Sequence, residues 1–158
     1  MKTALLTIVL TFLVLFCFAQ SNLVSYEDLK YLLHNNIAHA DTFFSAKGYT
    51  LKLKNDKTKN REYYLSIQGG TYVNAHLRAD GKKLFIEIET NELSQYNLIN
   101  NSIAQYINKA GSVGDVQTYN VKDLCNIYIT VSDTVPYSPV RKDYDMQIVA
   151  DKNIIAYN

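Results

Sequence analysis

The groups in this chain that could do chemistry are few: three histidines, two cysteines and scattered carboxylates. His34 and His39 stand five apart in an apolar-periodic segment, which turns them by about 140° around a helix axis. Helical ligand pairs stand three or four apart, where side chains share a face. His76 falls on the polar side of an alternating segment. With no carboxylate cluster at ligand spacing, the chain is expected to carry no metal and no cofactor. Cys125, His76 and Asp123 supply the residue types of a nucleophilic triad. A triad needs its members within hydrogen-bond reach of one another, and nothing in their spacing brings them together. Glu87 and Glu89 could act as a general acid and base, yet a separation of two along a strand is the ordinary spacing of a solvated face. No nucleophile elbow, phosphate loop or dinucleotide fingerprint occurs. The sequence therefore predicts no catalytic residues.

Composition narrows the remaining classes. The chain has 158 residues, 47 % hydrophobic and 20 % charged, with 16 basic against 15 acidic side chains. That mixture fits one globular domain, and so even a balance excludes a broadly basic nucleic-acid binder. Lys2, the apolar run Ala4 to Phe18 and the triplet Cys17-Phe18-Ala19 read as a secretory signal peptide over residues 1–19, cleaved between Ala19 and Gln20. About fifteen apolar residues fall short of the roughly twenty that span a bilayer. No later apolar run is long enough either, so no transmembrane segment is expected after cleavage. Acylation at Cys17 is the lesser alternative, because the bulky Phe16 precedes it where a small residue is usual. The product is expected in the periplasm or outside the cell as one domain over residues 20–158. Cys125 is then its sole cysteine, so it forms no internal disulfide and the core alone must stabilise it. A small buried hydrophobe is the expected role of Cys125.

The elements that would position these groups follow from periodicity. Ser25 caps a helix with Glu27 and Asp28 in its first turn. Leu29, Leu32, Leu33, Ile37, Ala40 and Phe44 continue it to a stop at Gly48. From Tyr49 the period becomes two, with Leu51 and Leu53 on the buried side of a first strand. Strands follow at Tyr63 to Ile67, Thr71 to Leu77 and Leu84 to Ile88, with reversals at Gly69-Gly70 and Asp80-Gly81. A second helix carries Leu93, Tyr96, Ile99, Ile103, Tyr106, Ile107 and Ala110 to Gly111. Strands return at Val116 to Val121, Ile127 to Val131 and Tyr144 to Ala150, with a short last one at Ile154 to Tyr157. The expected fold is α+β, two amphipathic helices on one face of a mostly antiparallel sheet. Helix-plus-strand halves over 25–90 and 91–158 suggest a diverged duplication.

The signal ending Phe-Ala-Gln and the alternation of helix, glycine, strand and Tyr-rich hairpin resemble small exported proteins of Bacteroidota. That resemblance implies no particular activity. The layout is also similar to secreted inhibitor domains of the beta-lactamase-inhibitor type, an architectural likeness that supplies no site residues. Asp133-Thr134-Val135 resembles the O-glycosylation site of exported Bacteroidota proteins, while Asn100-Asn101-Ser102, an N-glycosylation pattern, falls within a helix.

Three surfaces could bind. With Leu, Ile and Val facing the helices, Tyr64, Tyr72, Tyr119 and Tyr128 fall on the opposite sheet face near His76 and Arg78. Tyrosine gives contact area at small entropic cost, although cross-strand tyrosines also stabilise sheets. Lys52, Lys54, Lys57, Lys59 and Arg61 form a basic hairpin, suited to an anionic partner or simply a solvated edge. The loop from Ser132 to Asp143 holds Pro136, Tyr137, Pro139 and Arg141, a stiffened aromatic tip. The expectation is an exported, non-enzymatic binding module for a protein partner, inhibitor- or immunity-like. The alternatives are an envelope accessory domain taking glycan or anionic lipid through the basic hairpin, and a hydrolase with an unrecognised site.

Overall fold

The computed structural model describes residues 22–81, 83–133 and 142–151. The signal segment, Tyr137, Arg141, Thr134 and the expected strand at Ile154 to Tyr157 lie outside the described residues.

Ser25 opens α1 (Tyr26–Leu33) through a reciprocal capping box. The Asp28 N–H donates to Ser25 Oγ at 3.1 Å, and the Ser25 N–H donates to Asp28 Oδ2 at 2.8 Å. The single helix expected up to Gly48 is instead two, with α2 (Ile37–Ala46) starting afresh. Polar side chains cause the break. His34 Nδ1 lies 2.7 Å from Lys30 O, and Asn35 Nδ2 donates to Tyr31 O at 2.7 Å, so both occupy terminal carbonyls of α1. Asn36 Oδ1 then accepts from the N–H groups of Ala38 and His39 as a new N-cap. Helix α2 ends in a Schellman turn at Gly48, whose φ of 81° suits glycine. There the Tyr49 N–H reaches Phe44 O at 2.9 Å and the Gly48 N–H reaches Ser45 O at 3.0 Å.

Seven strands follow: β1 (Thr50–Asn55), β2 (Asn60–Ser66), β3 (Tyr72–Asp80), β4 (Lys83–Thr90), β5 (Val116–Val121), β6 (Cys125–Asp133) and β7 (Lys142–Ala150). They form one antiparallel sheet in the order β1-β2-β3-β4-β7-β6-β5. Two meanders thus meet at β4 and β7, where Ile86 faces Ile148 and Ile88 faces Met146. Between them runs α3 (Leu93–Ile103), shorter than expected, followed by a 3-10 turn at Ala104–Tyr106. The helix stops because the chain is drawn to the sheet edge. Ile107 bridges Tyr119, and the Asn108 N–H donates to Thr118 O at 2.8 Å.

Alternation then sorts the sheet into two faces. Val73, Ala75, Ile86, Ile88, Ile127, Ile129, Met146 and Ile148 are fully buried on one face with Leu29, Leu33, Phe44, Ile99 and Ile103 from the helices. Each such large aliphatic side chain contributes about 1.5–3 kcal/mol by leaving water. Phe44 stacks on Tyr63 at 4.3 Å and Tyr96 on Tyr144 at 4.4 Å, which ties α2 to β2 and α3 to β7. Gln95, wholly buried, clamps the segment before α1: its Oε1 accepts from Val24 N–H at 2.8 Å and its Nε2 donates to Val24 O at 2.7 Å. Strand β1 departs from the half-buried strand expected of its alternation. All six residues are exposed, and a bulge between Leu51 and Leu53 reverses the phase, so Leu53 pairs with Glu62 on the face away from the helices.

Candidate functional site

The helices pack on one face of the sheet, and the other face carries its polar residues in register. Across one row stand Leu53, Glu62, His76, Glu87, Gln147, Tyr128 and Thr118. The neighbouring row runs Thr50, Tyr64, Asn74, Glu89, Asp145 and Thr130. Tyr64, Tyr72, His76 and Tyr128 therefore share this open face, as their alternation predicts. Tyr64 and Tyr72 stack with ring centres 6.4 Å apart, and Lys52 Nζ lies 5.1 Å from the Tyr64 ring centre.

Tyr119 does not join them. It pairs with Ile127 on the covered face and is buried at 3 % exposure, its hydroxyl within 3.0 Å of Asn100 Oδ1 and 2.8 Å of Gln117 Oε1. Strand β5 carries Val116 and Val121 at opposite parity, so alternation within it has two phases. Pairing with the apolar side of β6 selects the one that buries Tyr119 and Val121.

The basic hairpin is likewise dispersed. Arg61 is buried at 5 % exposure; its Nε donates to Asp41 Oδ1 at 3.0 Å and its Nη2 to Asp56 Oδ1 at 2.6 Å. Lys54 Nζ sits 3.3 Å from Asp41 Oδ2, while Lys52 stands on the open face with its Nζ over Tyr64. Lys57 and Lys59 remain at the hairpin tip. Asp41 is the hub, also accepting from Tyr63 OH at 2.5 Å. Burial alone would raise its pKa, but the Tyr63 hydrogen bond, the Arg61 charge and Lys54 outweigh that and hold it below the ordinary value. None of this was legible as a cluster, because Asp41 lies on a helix and its partners on strands.

Two grooves cross the open face. One, of about 350 Å³, has Leu53, Phe85 and Val149 as its apolar wall and His76, Arg78 and Glu87 among its polar lining. The other, of about 340 Å³, is lined by Tyr72, Glu89, Thr130, Ser132, Asp143 and Asp145. Arg78 lies over the Phe85 ring at 5.1 Å. Burial, with the charges of Asp145 and Glu89, raises the pKa of Glu87; burial, with Glu89, raises that of Asp145. Tyr72 is raised by burial and by Asp143 and Glu89. Sequence reading treated Glu87 and Glu89 as an ordinary solvated pair and missed Glu62, Phe85, Asp143 and Asp145. The usable signal was period two within each strand, but only cross-strand register brings these residues together.

The drawn triad is not assembled. Cys125 lies on the covered face of β6, buried, and burial with the charge of Asp151 pushes its thiol up to about 12, while His76 points from the opposite face of β3. His34 and His39 are separated by the helix break and are both exposed. Among the described residues, no helix is long and apolar enough to cross a membrane. No protein-family model matches the chain, and searches of curated proteins and of solved structures give no significant match.

Proposed function

We propose that the chain is an exported, non-enzymatic binding module that recognises a protein partner through the open sheet face. The observation that carries this reading is a sheet face left clear of the helices, bearing Tyr64, Tyr72 and Tyr128 beside two grooves. Tyrosines with apolar bodies and polar tips are suited to such contacts. The face also carries Glu62, Asp80, Glu87, Glu89, Asp143 and Asp145 against Lys52, Arg78 and Lys83, so the partner it favours presents lysine or arginine. Dispersal of the hairpin cations, with Arg61 buried between two aspartates, leaves the anionic-surface reading with less support.

The test is capture of partners from the native envelope by the immobilised exported chain, with melting measured on the same variants. Tyr72→Ala and Tyr128→Ala are each expected to weaken capture roughly thirtyfold, about 2 kcal/mol, while costing at most about 1 kcal/mol of stability. Salt is expected to weaken capture further, because the charged contribution is screened. Reduced stability with undiminished capture would mean that these tyrosines only support the sheet.

A further inference from the structure

We infer that His76, Glu87 and Glu89 form a binding site for a divalent transition-metal ion at the junction of the two grooves. His76 on β3 pairs directly with Glu87 on β4, and Glu89 stands one strand repeat further along the same face. Their ligand atoms, one from each residue, all lie within 4.8 Å of one another. A tetrahedral ion bound at about 2.0–2.1 Å holds its ligand atoms about 3.4 Å apart, a closure within reach of glutamate side-chain rotation. His76 and Glu87 line one groove and Glu89 lines the other, so the site lies between them.

The imidazole separates this group from an ordinary acidic patch. His76 Nε2 has no exposed surface and no hydrogen-bond partner. It stands 3.4 Å from Glu89 Oε2, an ion-pair distance without hydrogen-bond alignment. An imidazole nitrogen directed among carboxylates offers a mixed nitrogen and oxygen donor set suited to a cation. Two cations of the face are engaged with rings, Arg78 over Phe85 and Lys52 over Tyr64. Gln147 Nε2 holds Glu87 Oε1 at 3.2 Å and Asp145 Oδ2 at 3.0 Å, an outer contact that orients the glutamate. Asp145 Oδ1, also sheltered and without a partner, adds negative charge beside the site.

One nitrogen and two carboxylate oxygens suit zinc or a similar first-row ion better than magnesium or calcium, which take oxygen sets. Three protein ligands leave a coordination position for water or for a donor from a bound molecule. Ion binding itself requires no partner, so it stands or falls apart from the proposed function.

The test is calorimetric titration of the metal-free exported chain with zinc chloride, with melting followed in parallel. One equivalent is expected to bind and to raise the melting temperature. His76→Ala and Glu87→Gln are each expected to weaken that binding at least about tenfold and to abolish the melting shift. Glu87→Gln keeps side-chain shape and lowers like-charge repulsion, so it remains informative if His76→Ala folds poorly. The double variant His34→Ala/His39→Ala, altered only at the exposed helix histidines, is expected to bind zinc as the parent does. Zinc binding unchanged by both site variants, binding lost in the helix double variant, or no binding at millimolar zinc would each overturn the inference.

Discussion

Gln95→Leu tests how the chain entering α1 is fastened to the fold. Gln95 is wholly buried and meets the backbone of Val24, itself wholly buried, with one accepted and one donated hydrogen bond of 2.8 and 2.7 Å. Leucine fills much the same volume but leaves the Val24 N–H and C=O without partners. Each orphaned buried backbone group costs about 1–3 kcal/mol. Apolar burial of the new side chain returns about 1 kcal/mol. The expected net loss is about 3 kcal/mol. With a urea slope of about 1.5–2 kcal/mol per M, the unfolding midpoint should fall by roughly 1.5–2 M. Gln105→Leu is the control, since Gln105 is exposed beyond the end of α3 and its replacement should stay within about 0.5 kcal/mol. Equal midpoints for the two variants would refute the claim that Gln95 holds the entering strap.

Two further perturbations address other parts of the fold. Asp41→Asn should destabilise by about 2 kcal/mol at neutral pH, because Tyr63, Arg61 and Lys54 lose their shared carboxylate. The folded-state pKa of Asp41 is lowered, so its contribution is present above the unfolded value of about 3.9 and is lost as pH falls through the folded one. Stability curves of parent and variant measured from pH 7 downward should therefore converge in acid, and a gap that persists would contradict the linkage. Glu87 and Asp145, raised by burial and mutual charge, titrate in the opposite sense but cancel in the difference between the two proteins. Ile103→Asp, at a fully buried position on α3, should cost roughly 3 kcal/mol or more, whereas Asn101→Asp on the exposed side should be nearly silent. Similar melting temperatures for that pair would mean the helical phase is wrong.

The sequence by itself determined what depends on a few neighbouring residues. Ser25 with Asp28, Gly48 after α2, and the reversals at Gly69-Gly70 and Asp80-Gly81 all act within one turn of chain, and the backbone obeys them. Period two in β2, β3, β4, β6 and β7 likewise separated the faces, so the α+β class and the open-face places of Tyr64, Tyr72, His76 and Tyr128 were legible. Polar side chains that compete for backbone groups were read less well, as His34, Asn35 and Asn36 show by ending one helix and starting another. What only the tertiary structure decided is which strand lies beside which. The placing of β7 against β4 carries Asp145 and Gln147 to Glu87 and Glu89, and the register of β5 on β6 turns Tyr119 inward. The bulge in β1 sends Leu53 to the open face, and the approach of α2 to β2 buries Arg61 against Asp41. Residues as far apart in sequence as Glu87 and Gln147 meet only when sheet order and register are set. Those are settled by the summed burial of the whole apolar face, a quantity that no local pattern contains.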